Sequence, residues 1–157
     1  MKATVINVPN ALKAKVGGGL SALNADAIAA AEAALKELSS NFSQWLNDEI
    51  VKLEAARTAI RAQGLTPLTT EGLYLRAHDL KGLGATYDYP LVSRIAGSLC
   101  KLIDDPQKRL SAPMVLVDAH IDAIKAAVRG EIRDVEHPVG RVLCDELEAN
   151  VAAHTQG

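Results

Sequence analysis

The stretch that decides the fold runs from Thr70 to Tyr87 and reads TEGLYLRAHDLKGLGATY. Its apolar and small residues recur at spacings of three and four, which is the pattern of a helix with one buried face. That face consists of Leu73, Ala77, Leu80, Gly84 and Tyr87. His78 lies off this face. The pattern therefore predicts a helix that buries one stripe and directs the His78 imidazole outward.

Residues 24–63, upstream of this stretch, are also predicted to be helical, with Asn24 as the N-cap and a stop at Gly64. The polar run Ser39-Ser40-Asn41 weakens the pattern, so periodicity leaves open one long rod or two helices, and we favour one rod. Trp45, beside the apolar stripe, is predicted to be a core or interface residue. The stripe consists of Phe42, Leu46, Ile50, Leu53, Ala56 and Ile60.

The helix that contains His78 is predicted to start after Pro67, with Thr69 or Thr70 as its N-cap. It should end near Pro90, because proline disfavours helical geometry in the residue before it. A third helix follows from there to the turn at 104–106. Ser111 is predicted to open a fourth helix that ends at Gly130.

A last helical segment, residues 138–153, places four apolar residues at strict four-residue spacing, and they are Val139, Leu143, Leu147 and Val151. This extra helix is expected to pack either on the other helices or on a partner. The loops between the first four helices are predicted to be about six to eight residues long, which makes consecutive helices antiparallel neighbours.

The predicted fold class is therefore all-α, an antiparallel up-down-up-down four-helix bundle. Only 3% of the 157 residues are aromatic, which also favours aliphatic helix packing over strands. The predicted domains are an irregular N-terminal arm (1–23), the bundle with an N-terminal helical extension (24–130) and a C-terminal helix and tail (131–157). The glycine run 17–19 in the arm lacks the Lys-Ser or Lys-Thr of a phosphate-binding loop.

Charge and composition exclude several classes of function. The net charge is −2 without a basic run, so nucleic acid is not an expected partner. No apolar stretch reaches the ~18 residues that span a bilayer, and no signal peptide is evident, so we expect a cytoplasmic protein without membrane contact. Cys100 and Cys144 are predicted to be small buried hydrophobes, and no metal site is expected.

The residues beside His78 suggest chemistry. Imidazole is a nucleophile that is substantially neutral near neutral pH, so it can accept and release a phosphoryl group. Lys81 lies one turn along and would offer a cation to that group. Gly82 would leave space beside the ring, whereas Gly84, on the buried stripe, would allow a close helix approach. A lone helical histidine is nevertheless usually structural, so the spacing alone is weak evidence.

The run Ala77-His78-Asp79-Leu80-Lys81-Gly82, followed by Gly84, Ala85 and Tyr87, resembles the signature of histidine phosphotransfer (HPt) domains. The similarity continues through 89–91 and 95–103 and covers about residues 42–130. In this respect the chain is similar to stand-alone HPt proteins of alphaproteobacteria.

The resemblance implies a four-helix bundle of HPt type in which His78 is phosphorylated. His78 would accept from and donate to aspartates of response-regulator receiver domains, including the receiver of a hybrid histidine kinase. Lys81 would support the phosphate and Gly82 would provide clearance. The protein would be a monomeric phosphocarrier rather than an enzyme, without a cofactor of its own, and Mg²⁺ would be bound by the receiver.

The expected docking face around His78 consists of Tyr74, Leu75, Lys81, Gly82 and Ala85. Two departures from the common HPt pattern are Asp88, where many members have glycine, and Leu83, where many have a polar or small residue. The alternatives are a structural adaptor with a buried His78, or a histidine-kinase inhibitor that docks through the same face.

The other histidines lack the Lys-Gly neighbours of His78. His120 is predicted to be half-buried on a helix flank. His137 precedes a proline at a helix start, and His154 lies in the tail.

Overall fold

The computed structural model describes residues 21–156, with side chains described from Asn24 onward. The described chain divides into two compact units, with the boundary between Gln44 and Trp45. The predicted arm lies outside the described residues except for 21–23, which are helical. The all-α prediction is confirmed for the described residues, which contain helices and turns but no strand.

Five α-helices and one 3₁₀ turn make up the described chain. Their bounds are α1 Ser21–Gln63, α2 Pro67–Thr86, α3 Pro90–Leu102, the 3₁₀ turn Lys108–Ser111, α4 Met114–Arg129 and α5 Pro138–Gln156. The connections 64–66 and 87–89 are three residues long, shorter than predicted, and 103–113 is longer. None of the described helices is both long and apolar enough to cross a bilayer.

The first helix is continuous across Ser39-Ser40-Asn41, so the single rod is confirmed. The prediction of Asn24 as its N-cap was wrong, because Asn24 already lies inside the helix. The predicted stop at Gly64 is correct. Gly64 adopts φ +84°, a left-handed conformation that glycine reaches without a steric penalty.

The N-terminus of α2 differs from the prediction of Thr69 or Thr70 as the cap. The cap is Thr66, whose hydroxyl oxygen accepts from the Thr69 backbone N–H at 3.1 Å. The Thr69 hydroxyl oxygen in turn accepts from the Thr66 N–H at 3.0 Å, which completes a capping box. Pro67 occupies the first helical turn, where its missing N–H has no intrahelical partner to lose.

Helices α2 and α3 approach each other closely at Gly84. A Cβ on Gly84 would lie 2.6 Å from the Ser93 side-chain oxygen and 2.7 Å from the Ser93 backbone nitrogen. The Gly84 carbonyl accepts from the Tyr89 N–H at 2.7 Å, and the Ser93 hydroxyl oxygen accepts from the Ala85 N–H at 2.7 Å. The role predicted for Gly84, a close approach of two helices, is confirmed.

Asp88 forms the turn between α2 and α3 with φ +70°, in the left-handed region. Aspartate is enriched there among residues other than glycine. Its carboxylate also accepts from Arg133 at 3.2 Å. Asp88 thus has the backbone conformation that would favour glycine at this position.

In the second unit, α2 and α3 run antiparallel, and so do α3 and α4. Gly84 faces Ser93 while Lys81 lies against Gly97, so residue numbers rise along α2 as they fall along α3. The pairs Ser98–His120 and Tyr89–Val128 show the same relation between α3 and α4.

The C-terminal half of α1 lies antiparallel to α4 and is joined to it by a charged cluster around Arg57. This guanidinium is only 3% exposed and donates to Glu54, Asp118 and Asp122. Lys125 donates to Glu54 from α4 at 2.7 Å. The hydrogen bond from Arg57 is the main reason that the pKa of Glu54 falls to about 2. The pairing fixes the register of these two helices.

The start of α4 differs from the prediction. Ser111 belongs to the preceding 3₁₀ turn, and Pro113 occupies the N-cap without a side-chain hydrogen bond, so Ser111 was wrongly predicted to open the helix.

The core lies between α4 and the helices before it. It includes Leu46, Leu53, Leu73, Leu80, Leu91, Ile95, Leu99, Val117, Ile121 and Ile124.

Helix α5 packs on α3 and α4. Of the two predicted alternatives, the extra helix thus packs on other helices of the same chain. Its buried residues are Gly140, Cys144, Leu147 and Val151. Strict four-residue spacing drifts by about 40° per step on an α-helix, which explains why Val139 is exposed against the prediction. Arg94 of α3 binds Glu148 at 2.8 Å.

The two glycines of α2 provide a matched test of this packing. Gly84→Ala should lower the free energy of unfolding by about 1–2 kcal/mol, because overpacking at Ser93 outweighs the better helix propensity. Gly82→Ala, with no atom of a neighbouring element within 4 Å of its added Cβ, should raise it by up to about 1 kcal/mol. Urea denaturation measures both, and a Gly84→Ala protein as stable as wild type would contradict the close approach.

Candidate functional site

His78 lies in the middle of α2, with its side chain exposed. The same helix buries Leu73, Ala77, Leu80 and Gly84 on its opposite side. Because these four residues are held in the core, the rotation of the helix about its axis is fixed. The predicted outward direction of His78 is confirmed.

Tyr74 is the aromatic neighbour of the imidazole. The two ring centroids are 6.0 Å apart, with the ring planes inclined by 39°. Around the pair, Leu75 is 51% exposed, and Ala85 is exposed as well. Within residues 24–156 the imidazole has no hydrogen-bond partner. The residues predicted for a docking face therefore surround an accessible imidazole.

Lys81 extends from this face toward α3. Its aliphatic carbons lie 3.8 Å from where a Gly97 Cβ would be, so the stem runs along the neighbouring helix. Its ammonium group has no ion-pair partner among the described residues. A cation is thus held at the edge of the His78 face without a carboxylate to neutralise it.

The space around Gly82 is open, because a Cβ added to this residue would meet no atom of a neighbouring element within 4 Å. The fold does not require glycine here, in contrast to Gly84, and glycine costs a helix about 1 kcal/mol relative to alanine. The packing of the described helices therefore gives no reason for glycine at position 82. Gly72 in the same helix is equally open, and nothing in the structure explains it.

Cys100 of α3 is only 6% exposed. Burial raises the pKa of its thiol to about 11, although the positive charge of Lys81 acts in the opposite direction. The thiol therefore stays protonated near neutral pH. Both cysteines are free and buried, as predicted.

His120 is completely buried, so the prediction of a half-buried residue was wrong. Its Nδ1 lies 2.7 Å from the Leu116 carbonyl oxygen, which can only accept, so Nδ1 carries the proton. Nε2 then accepts from the Ser98 hydroxyl at 2.9 Å. Helical periodicity did not reveal this partner, which comes from α3. Both ring nitrogens are occupied, and His120 is not available to a second protein.

The remaining two histidines are exposed on α5 or at its start. His137 Nδ1 accepts from the Val139 N–H at 3.1 Å, which is a capping interaction. His154 lies in the last turn of α5. Neither has the surroundings of His78, with an aromatic ring on one side and an open glycine on the other.

Arg109 is the residue near this face that sequence reasoning missed. It lies in the 3₁₀ turn, is 7% exposed, and its guanidinium carbon is 4.7 Å from the centroid of the Tyr74 ring. A groove of about 380 Å³ lies between the start of α2 and this turn, lined in part by Tyr74, Leu75 and Arg109. No periodic pattern could indicate it, since Arg109 lies outside the α-helices.

Burial of His120 predicts a pH dependence of stability. Burial lowers its pKa below the ordinary value of 6.5, so the unfolded chain binds a proton at a higher pH than the folded one. The contribution of His120 to the free energy of unfolding is therefore fully present above about pH 6.5. It falls as the pH drops below this value, by at most about 1.4 kcal/mol per pH unit.

Urea denaturation of wild type and His120→Leu at pH 7.5 and 5.5 checks this contribution. The wild type should lose more stability than His120→Leu over this interval. An equal loss in the two proteins would show that His120 does not contribute.

Comparison of the chain with protein-family models, with curated proteins and with solved structures finds no match. The function has to be inferred from the residues of the site and from the signature that they resemble.

Proposed function

We propose that the protein is a histidine phosphotransfer protein of a cytoplasmic phosphorelay, carrying a phosphoryl group on His78 between receiver-domain aspartates. The observation that carries this proposal is an accessible imidazole at the middle of a well-packed helix, beside an open glycine and a cation without an ion-pair partner in the described chain. Both flanking residues, Lys81 and Gly82, belong to the HPt-like run.

The arrangement of the helices supports the same proposal. HPt domains carry their histidine on the second helix of an antiparallel four-helix bundle. Here His78 lies on α2, and the pairings of α1 with α4, α2 with α3, and α3 with α4 are antiparallel. Asp88 replaces the usual glycine while keeping a positive φ. Its presence does not argue against an HPt-like helix end.

The transfer follows from the chemistry of imidazole. A ring nitrogen without a proton attacks phosphorus with its lone pair, and the bond from phosphorus to the receiver carboxylate breaks, so the carboxylate leaves with that electron pair. The ring then carries a positive charge, which it loses when its other nitrogen releases a proton to water. In the second transfer, the other ring nitrogen first takes up a proton from water. The carboxylate of another receiver then attacks phosphorus, the P–N bond breaks, and its electron pair returns to the ring, so that His78 leaves as neutral imidazole.

The residues of this chain would act by position and charge. Phosphorylated His78 carries a dianion, and Lys81, one turn along α2, is free to approach it. Two unit charges 4 Å apart interact by about 4 kcal/mol at an effective dielectric of 20, and exposure to solvent leaves only part of this. Lys81 is therefore expected to modulate transfer, while the receiver and its Mg²⁺ provide most of the catalysis.

The partner would dock on Tyr74, Leu75, Gly82 and Ala85, with Lys81 at the rim. The surface is mainly apolar and its centre is the imidazole, which suits packing of a receiver helix. The open side of Gly82 would let the backbone of that helix and the phosphoryl group come near His78. The exposure of His78 disfavours the adaptor alternative, which requires a buried residue.

The first test is transfer from a phosphorylated receiver. Wild-type protein should acquire an acid-labile, base-stable phosphate, and His78→Gln should acquire none. His154→Gln is the matched control, because it removes another exposed histidine of the chain and should leave labelling intact. A panel of phosphorylated receivers that labels no wild-type protein would refute the carrier function and favour an inhibitor.

The second test concerns clearance. Gly82→Leu should fold as well as wild type, since nothing in the fold occupies that space, yet it should slow transfer at least tenfold. Gly72→Leu is the matched control, because Gly72 is equally open but lies about 120° away from His78 around the helix. Rates that are equal in Gly82→Leu and Gly72→Leu would show that Gly82 provides no clearance.

A further inference from the structure

Arg109 is a buried cation that forms no ion pair within 4 Å among residues 24–156, although, together with two backbone hydrogen bonds, its charge helps to lower the pKa of Asp105. Its Nη2 donates to the Asp104 carbonyl oxygen at 3.0 Å, and its Nε is buried with no hydrogen-bond partner in that part of the chain. Burying a guanidinium in this way is unfavourable unless other contacts compensate. One compensating contact is the face of the Tyr74 ring, whose centroid lies 4.7 Å from the guanidinium carbon.

Tyr74 is therefore held from outside its own helix. Arg109, from the 3₁₀ turn, covers its ring, and the His78 ring lies 6.0 Å away on α2. Aromatic rings at 4.5–7 Å attract each other in tilted or offset arrangements, and the inclination of 39° belongs to this range of geometries. The three groups form a row in the order guanidinium, phenol ring, imidazole.

The row matters because nothing else described in the structure restrains the imidazole. An exposed side chain without a hydrogen bond samples several rotamers. Attack on phosphorus needs one ring nitrogen to point away from the helix, and each unproductive rotamer lowers the fraction of molecules that can react. A neighbouring ring that is itself immobile reduces the number of those rotamers.

We propose that Tyr74 is a positioning residue for His78, and that Arg109 clamps the Tyr74 ring so that the imidazole presents a nitrogen to the incoming phosphoryl group. The inference rests on the proposed function, because it assigns Tyr74 a part in the same transfer. It also explains why a cation is buried beside the docking face. The role differs from that of Leu75, which touches the partner alone.

Single-turnover transfer from a phosphorylated receiver, measured over a range of protein concentrations, separates the maximal rate from the half-saturating concentration. Tyr74→Leu should lower the maximal rate about tenfold, in addition to any rise in the half-saturating concentration that follows from the lost docking contact. Tyr74→Phe keeps the ring and should restore most of the rate. Arg109→Met should also lower the maximal rate, because the Tyr74 ring is then no longer held by the guanidinium.

Leu75→Ala is the matched control from the same surface. It should raise the half-saturating concentration and leave the maximal rate nearly unchanged, as expected of a residue that only binds. If Tyr74→Leu raised the half-saturating concentration and left the maximal rate unchanged, Tyr74 would act only in docking and the positioning role would be wrong.

A second measurement needs no receiver. The ring-proton NMR resonances of His78 should shift in Tyr74→Leu, which removes the ring current, and stay near their wild-type positions in Tyr74→Phe. Unchanged resonances in Tyr74→Leu would overturn the positioning role even if His78 carries phosphate. If Tyr74→Leu shifts the His78 resonances but the wild-type protein accepts no phosphate, the carrier function is refuted instead. The ring contact would then be purely structural.

Discussion

The close approach of α2 and α3 at Gly84 is the constraint on which the rest of the site depends. With no side chain on Gly84, the backbone of Ser93 comes within reach of α2, and hydrogen bonds to the Gly84 carbonyl and from the Ala85 N–H fix the contact. Once this side of α2 is held against α3, the helix cannot rotate about its axis. His78 must then lie toward solvent, with Lys81 along the edge of α3.

Two glycines two residues apart therefore act in opposite ways. Gly84 faces inward and permits contact between helices of the same chain, whereas Gly82 faces outward into open space. Packing explains the first glycine and does not explain the second. Because Gly72 is equally open, the openness of Gly82 supports the proposed docking surface only through its position beside His78.

Much of the fold could be predicted because burial follows helical periodicity. The stripes of α2 and α3, the single rod of α1 and the stop at Gly64 all depend on such local patterns. The errors in these helices arose from local geometry that apolar periodicity does not resolve. Thr66 caps α2 through a reciprocal bond with Thr69 that a search for a single cap overlooks, and Val139 is exposed because four-residue spacing drifts around the helix.

The site shows the same division. His78, Lys81 and Gly82 could be singled out from one continuous run, and the outward direction of His78 followed from the stripe behind it. Arg109 could not be found, because it lies in a turn 31 positions after His78 and reaches Tyr74 only in the folded chain. His120 was misjudged for a similar reason, since Ser98 on α3 supplies the hydrogen bond that makes complete burial tolerable.

The central claim is that one histidine of four is built to carry phosphate. Mass spectrometry of peptides prepared at alkaline pH, after exposure of the wild-type chain to a phosphorylated receiver, tests it most directly. Phosphate is expected on the peptide that contains His78 and on no other histidine. Phosphate on His137 or His154, which are exposed as well, or on no peptide at all, would contradict it.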